Sequence, residues 1–109
     1  MSETLTGRAL DRAVFDAITN RKFGSDLLDG LFANPLFARY SDDETTLPEM
    51  VKWLTARGEV QLRGIPSRWE SRCGWEDGNA SDWTIAAGTT MSEAVARLVV
   101  LFAATKEKP

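Results

Sequence analysis

Three arginines are the strongest candidates for binding an anion. They are Arg63, Arg68 and Arg72. The alternation of polar and apolar residues around them predicts strands and places all three on the outer face of one sheet. A guanidinium donates paired hydrogen bonds to a phosphate or a carboxylate, so this face could bind an anion. In the competing interpretation the face is solvated, and Glu59, Glu70 and Asp82 neutralise the arginines across the strands.

An acidic segment is the second candidate site. Its residues are Asp42, Asp43, Glu44 and Glu49, and Trp53 lies one helical turn further on. The carboxylates could contact a basic partner, with Trp53 as an aromatic anchor. They could also hold a divalent cation, although the segment lacks the glycine and the alternating oxygen ligands of an EF-hand loop. In the competing interpretation these carboxylates stabilise the start of a helix through its dipole.

Aromatic residues and the one cysteine alternate along two predicted strands. Trp69, Cys73 and Trp75 are predicted to face inward on one strand, and Trp83 and Ile85 on the next. Burial against helices is the expected role, and an aromatic box for a nucleobase or a cation is the alternative. A thiol buried between tryptophans has a raised pKa and low reactivity. We therefore expect Cys73 to be an inert core residue.

Composition disfavours most kinds of catalysis. The chain has 109 residues, no histidine and one cysteine, so it lacks the commonest general base and cannot form a thiolate zinc site. We expect no cofactor and no bound metal. A net charge of −3 argues against sequence-independent binding of nucleic acid or an anionic membrane. The chain has neither a secretory apolar run nor a membrane-spanning one, and a single thiol suits a reducing cytoplasm.

Four helices are predicted from apolar residues spaced three and four apart. The first follows Thr6 and stops at Asn20, and the second is a short helix over residues 25–32. The third follows a capping box at Thr46 and Glu49 and ends at Gly58, where a left-handed cap is expected. The fourth follows a capping box at Thr90 and Glu93, and its wide apolar stripe predicts the most buried helix.

From Glu59 the period changes to two, which predicts three strands. The connections, Pro66 with Ser67 and the polar run 76–81, are too short for parallel crossovers. The sheet is therefore predicted to be antiparallel. Residues 1–109 then form a single α+β domain, a three-stranded antiparallel β-meander packed with three main α-helices plus one short helix. The order of elements is α-α-α-β-β-β-α.

This order, with the stretches TGRALDRAV, YSDD, WESRCGW and MSEAVARL, resembles the small phage and prophage family called the phage ABA sandwich domain. The resemblance covers nearly the whole chain and implies a phage or prophage origin and the α+β fold. Residues 20–40 depart from the family pattern, because members carry a tryptophan- and glycine-rich segment where this chain has a short helix. The family has no general function that could be transferred.

These observations predict a small non-enzymatic binding protein of phage type in the host cytoplasm. In its most specific form it is a counter-defence inhibitor that docks on the basic surface of a host immune protein through the acidic segment and Trp53. The alternative is a sponge for a nucleotide-derived immune signal, which would use the three arginines and a tryptophan at the interface of a homo-oligomer. A small enzyme is the third hypothesis.

Overall fold

The computed structural model describes residues 5–20 and 22–106 and confirms the predicted order of elements. The helices are α1 (Gly7–Ile18), α2 (Ser25–Phe32), α3 (Leu47–Thr55) and α4 (Met91–Lys106), and a 3₁₀ turn over Glu44–Thr46 precedes α3. The strands are β1 (Glu59–Ile65), β2 (Arg68–Asp77) and β3 (Ala80–Gly88). In the described part of the chain, no helix combines the length and the apolar character needed to cross a membrane.

The strands form one antiparallel sheet in the order β1-β2-β3. Pro66 and Ser67 connect β1 to β2, and Ser67 adopts a φ of 77°, in the left-handed region. The second connection is tighter than predicted, because β2 and β3 extend through most of the polar run and leave only Gly78 and Asn79 between them. Gly78 has a φ of 51°, which suits a residue without a side chain.

The sheet is covered on one face by two helices. α4 packs on β2 and β3, and α3 packs beside it on β1. α1 lies on the far side of α4, and α2 packs on α1. As predicted, α4 is the most buried helix, with Val95, Leu98 and Val99 fully inaccessible to solvent. Leu10 and Val14 of α1 and Met50 and Leu54 of α3 complete the largest part of the core.

Beneath α4 the inner face of the sheet is made mostly of small side chains, and the indole of Trp69 on β2 lies to one side, over Gly64 of β1. The small buried and half-buried members are Ser71, Cys73, Thr84, Ala86 and Gly88. The Ser71 hydroxyl donates a hydrogen bond of 2.8 Å to the carbonyl oxygen of Ala94 in α4. A Cβ on Gly88 would lie only 2.6 Å from the Ala94 nitrogen. Helix and sheet therefore approach so closely that larger side chains do not fit between them.

The predicted inward and outward positions along β3 were wrong by one residue. Thr84 lies opposite Cys73, and Trp83 lies opposite Gly74, so Trp83 and Ile85 point to the outer face instead of the core. A one-residue shift inverts every side chain of a strand. The assignment of β2 is confirmed for Trp69 and Cys73. Trp75 also lies on the inner side but is 50% exposed, so its predicted burial was wrong.

The capping predictions met different outcomes. The box before α4 forms in part: Thr90 Oγ1 accepts from the Glu93 N–H at 3.1 Å, but the Glu93 carboxylate accepts from the N–H of Thr89 instead of that of Thr90. At α3, Thr46 occupies the N-cap position but makes no side-chain cap, and its hydroxyl instead donates to the Asp43 carbonyl. Asn20 ends α1 with a φ of 57°, as expected of a left-handed cap.

Gly58 does not adopt the predicted left-handed cap. The glycines with positive φ among the described residues are Gly7 and Gly78. A Cβ on Gly58 would lie 2.9 Å from the Gly74 carbonyl oxygen, so this glycine is needed for the close approach of the chain after α3 to β2. The prediction identified a special position but assigned it the wrong physical cause.

The phenylalanines on and beside α2 form a satellite cluster with Phe15 of α1, beside the main core. The ring of Phe15 contacts those of Phe23, Phe32 and Phe37, with ring centres 5.2 to 5.8 Å apart. Phe32 and Phe37 also meet edge to face, and the Arg8 guanidinium lies 4.8 Å from the centre of the Phe32 ring. This aromatic packing holds α2 on α1.

Candidate functional site

The outer face of the sheet presents polar and apolar side chains away from α3 and α4. Register and alternation assign it these residues: Glu59, Gln61, Arg63 and Ile65 of β1; Arg68, Glu70, Arg72, Gly74 and Glu76 of β2; Ser81, Trp83, Ile85 and Ala87 of β3. The prediction that all three arginines share this face is confirmed. Ile85 is 50% exposed and Trp83 is partly exposed, so the face carries accessible apolar area beside the arginines.

Arg72 is held in place on the outer face by both neighbouring strands. Its Nε donates to Gln61 Oε1 of β1 at 2.8 Å, and its guanidinium lies 4.6 Å from the centre of the Trp83 ring of β3. Gln61 is itself oriented, because its Nε2 donates to Glu59 at 2.7 Å. A cation over an indole face is attracted by the ring electrons. The Arg72 side chain is therefore ordered before any partner binds.

The other two arginines are more accessible. The side chain of Arg68 is 56% exposed, and its Nη2 lies 3.9 Å from Glu70. Arg63 is exposed and faces Glu70 across β1 and β2 in the register. Asp82, which was predicted to neutralise this face, lies opposite Trp75 on the inner side. That part of the prediction was wrong, because it rested on the incorrect face of β3.

Charge is distributed unevenly along the outer face. Arg63 and Arg68 lie toward the β1–β2 turn, and we call them the basic end. Glu59 and Glu76 lie toward the β2–β3 turn, and we call them the acidic end. All four residues are exposed. The outer face therefore has opposite charges at its two ends, with Arg72 between them on β2 and the apolar Ile85 and Trp83 along the edge strand β3.

The acidic segment uses two of its carboxylates in local structure. Asp42 receives two hydrogen bonds from Arg39, of 3.1 and 2.7 Å, and this pairing raises the pKa of Arg39. Asp43 accepts from the hydroxyl and the backbone N–H of Thr45, and these bonds lower the pKa of Asp43. The helix-start interpretation accounts for Asp43. The prediction that the segment contacts a partner remains a prediction.

Glu49 and Trp53, two further members of that site, are also engaged. Glu49 accepts a hydrogen bond of 3.2 Å from the hydroxyl of the buried Tyr40, and burial together with the Glu49 charge raises the pKa of Tyr40. Trp53 packs edge to face on Phe102, and the Arg57 guanidinium covers its ring at 3.8 Å. Trp53 is partly buried in the core and thus less available than an aromatic anchor should be. Glu44, at the start of the 3₁₀ turn, is exposed.

Cys73 is fully buried, as predicted. Its thiol lies 3.5 Å from the Leu54 carbonyl oxygen, and burial raises the pKa of the thiol. A buried, protonated thiol is a poor nucleophile. In the described residues, no group of three or more histidine, cysteine, aspartate or glutamate side chains could hold a metal ion.

A shallow groove of about 410 Å³ lies between α1 and α2. Its lining includes Ala9, Ala13, Phe23 and Leu28. Arg12, at the same groove, forms an ion pair with Asp29 and approaches Ser25. The groove therefore combines apolar residues with the Arg12 guanidinium, whose hydrogen bonds are already made within the chain. Nothing in its lining selects a particular class of ligand.

Sequence reasoning missed Gln61, Trp83 and Ile85 as members of the candidate site. A signal was available for Gln61, because it alternates in phase with Arg63 on β1 and therefore shares the face of the arginines. The signal for Trp83 was ambiguous, since alternation gives two faces without saying which one is covered. Comparison with protein-family models, with curated proteins and with solved structures finds no match for the chain.

Proposed function

We propose that the protein is a non-enzymatic binding protein that associates stoichiometrically with a protein partner through the outer face of its sheet. The observation that carries this proposal is the composition of that face, where accessible Trp83 and Ile85 lie beside Arg63, Arg68 and Arg72. Tryptophan and arginine dominate the binding energy of protein interfaces. A flat surface of this kind fits another protein better than it fits a small substrate.

Two contrasts favour the outer face over the acidic segment as the contact surface. Asp42 and Asp43 already have partners within their own turn, whereas Arg63 is exposed and Arg68 is only loosely paired. Trp53 and Trp83 are each covered by an arginine and are both half-buried, but the outer face adds the half-exposed Ile85 beside its tryptophan. Ordering a long side chain at an interface has an entropic cost, and Arg72 is already held by Gln61 and Trp83.

In its most specific form the proposal is a counter-defence inhibitor that docks on a host immune protein in the host cytoplasm. The support for this form is the resemblance to the phage ABA sandwich family, which implies a phage or prophage origin. Such a partner would present an apolar strip beside charged groups, since the outer face is apolar along β3 and charged along β1 and β2.

A pull-down from host lysate with two matched variants tests the proposal. One variant reverses the basic end with Arg63→Glu and Arg68→Glu. The other neutralises the acidic segment with Asp42→Asn, Asp43→Asn and Glu44→Gln, in which asparagine keeps an oxygen for the Thr45 cap. We expect the first variant to lose a partner that the second retains. The opposite result would move the contact surface to the acidic segment.

The second candidate function is the sponge for a nucleotide-derived signal. The stacked pair of Arg72 and Trp83 favours it, because a guanidinium and an indole are the groups that bind phosphates and nucleobases. A ligand that binds only the folded state raises the unfolding temperature by mass action. A thermal-shift screen of cyclic and linear nucleotides should then show a rise that Trp83→Ala abolishes. A flat response across the screen argues for the protein partner.

A further inference from the structure

We propose that the outer face of one copy packs on the outer face of a second copy, forming a symmetric dimer. The inference rests on the proposed function in one respect, because it assigns a partner to the same face. It differs in needing no host protein. The register of the three strands places opposite charges at the two ends of the face, and these charges favour pairing with a second copy.

The outer face is ordered in rows that cross the strands. The central row is Gln61, Arg72 and Ile85. The next row toward the acidic end contains Glu59, Gly74 and Trp83. The next row toward the basic end contains Arg63, Glu70 and Ala87. Beyond these, Glu76 extends the acidic end and Arg68 extends the basic end. The two ends therefore lie at equal distances from the central row.

A two-fold axis along the central row, in the plane between two facing sheets, reverses the strand direction of the second copy. Each position then faces its mirror position across the central row. Glu59 meets Arg63 of the second copy, and Glu76 meets Arg68 of the second copy. Because a two-fold interface repeats every contact, both pairs occur twice. The charge order along the face is thus self-complementary.

The same axis also matches the sizes of the side chains. Trp83 faces Ala87 of the second copy, and Ile85 faces its own counterpart at the axis. Glu70 faces Gly74, which has no side chain to obstruct it. The unfavourable contact is Arg72 with Arg72 of the second copy, although each guanidinium is drawn toward Gln61 and Trp83 of its own chain.

The alternative axis, parallel to the strands, does not give a comparable match. It would place Arg68 against Arg68 of the second copy and Glu76 against Glu76. Like charges brought together at an interface cost free energy. The charge order therefore selects the axis that crosses the strands.

The size of the face predicts a weak dimer. Three strands about 4.8 Å apart, with roughly seven residues at about 3.4 Å each, cover about 15 by 25 Å. This is below the roughly 800 Å² per partner of a standard stable interface. We therefore expect dissociation in the micromolar range or weaker. A second copy would compete with a host protein for the same face, so local concentration would regulate partner binding.

Sedimentation velocity on the purified chain tests the dimer without any host protein. The measurement spans micromolar to millimolar concentrations, and the mass is expected to rise from 12.1 kDa toward twice that value. Added salt should weaken the dimer, because exposed ion pairs are screened. A mass that stays monomeric over the whole range would overturn the proposal.

Charge-reversal variants test the pairing itself. Arg63→Glu with Arg68→Glu makes the face acidic at both ends, and Glu59→Arg with Glu76→Arg makes it basic at both ends. Each double variant alone should dimerise at least about tenfold more weakly. An equimolar mixture should dimerise again, since every reversed residue then meets an opposite charge. Mixing that restores no dimer contradicts the two-fold pairing.

A control and a combined variant complete the design. Lys22→Glu with Lys52→Glu changes the net charge as much as the arginine variant does, at exposed positions away from the outer face, and should leave the dimer unchanged. The variant with all four reversals should dimerise normally but lose a host partner. If it dimerises and also binds the host protein, the proposed function fails while the dimer stands. Circular dichroism checks the fold of each variant.

Discussion

The two faces of the sheet are built from the same three strands and have opposite character. The inner face is tightly covered under the helices, where Ser71 and Cys73 are fully buried, and open toward the β2–β3 turn, where Trp75 is 50% exposed. The outer face is large and accessible, with Trp83 and Ile85 beside the arginines. On β3, Trp83 and Ile85 lie outside because α4 approaches the inner face of that strand too closely for large side chains. Side-chain size, as well as polarity, therefore decides which face of β3 is buried.

The largest expected effect is the difference in stability loss between matched truncations in the core and on the outer face. Leu98→Ala removes a fully buried side chain from the core between the sheet and the helices, and should lower the free energy of unfolding by about 2–5 kcal/mol. Ile85→Ala removes a half-exposed side chain and should cost less than about 1 kcal/mol. Urea denaturation of both variants measures the contrast. Equal losses would mean that the outer face is covered in solution, which the dimer would explain only at high protein concentration.

The next contrast uses two tryptophans on opposite faces. Trp69 lies over Gly64 on the inner side, and Trp69→Ala should lower the free energy of unfolding by about 2 kcal/mol and leave the dimer intact. Trp83→Ala should weaken the dimer about tenfold, with a smaller loss of stability. Sedimentation and urea denaturation on the same samples separate the two effects. A dimer that depends on Trp69 as much as on Trp83 would contradict the assignment of the faces.

Alkaline pH tests the burial of two core groups, Cys73 on the inner face of the sheet and Tyr40 in the segment before α3. The pKa values of Cys73 and Tyr40 are both raised in the folded state, so each group favours the folded chain fully below its ordinary pKa and loses that contribution as the pH rises. The free energy of unfolding should therefore fall from about pH 8.5, where a free thiol begins to ionise, and further above about pH 10. Each unit of pKa displacement corresponds to about 1.4 kcal/mol.

Two variants assign the alkaline loss to its sources. Cys73→Ala should remove the decline that begins near the thiol pKa, and Tyr40→Phe should remove the decline above it. Urea denaturation across the pH range measures both slopes. If the slope near the thiol pKa is unchanged in Cys73→Ala, the thiol is accessible to solvent and the inner face is less tightly packed than the structure shows.

The smallest expected effect concerns the two turns that connect the strands, one at each end of the sheet. Ser67 has a φ of 77° in the β1–β2 turn, so Ser67→Gly should raise the free energy of unfolding by about 0.5–1 kcal/mol. Gly78 has a φ of 51° in the β2–β3 turn, so Gly78→Ser should lower the free energy of unfolding by a similar amount. Thermal unfolding of the two variants shows whether each substitution stabilises or destabilises the fold. Changes of the same sign would contradict the turn geometry.

Much of the fold could be predicted because local signals agreed. The capping box at Thr90 and Glu93 marks the start of α4, and its apolar stripe is so wide that burial follows. The period of two in β2 placed Cys73 inside and Arg72 outside. Short connections required an antiparallel sheet. These features depend on neighbours in the chain, so the sequence contains them directly.

The candidate site was predicted in part. Arg63, Arg68 and Arg72 were assigned to one face correctly, because the arginines of β2 alternate with Cys73. Trp83 was assigned to the wrong face, because hydrophobicity favoured burying an indole more than burying Thr84. The local use of Asp42 and Asp43 could not be foreseen either, since it depends on where Arg39 and Thr45 lie in the folded turn.

The sequence by itself determined the α+β class, the order of elements and the antiparallel pairing, because each follows from periodicity, caps and the lengths of connections. Tertiary structure alone decided which face of β3 is buried. The physical reason is the close contact of α4 with the sheet, where Ser71 bonds to Ala94 and Gly88 leaves no room for a side chain. That contact turned Trp83 outward beside Arg72 and so created the face on which the proposed binding depends.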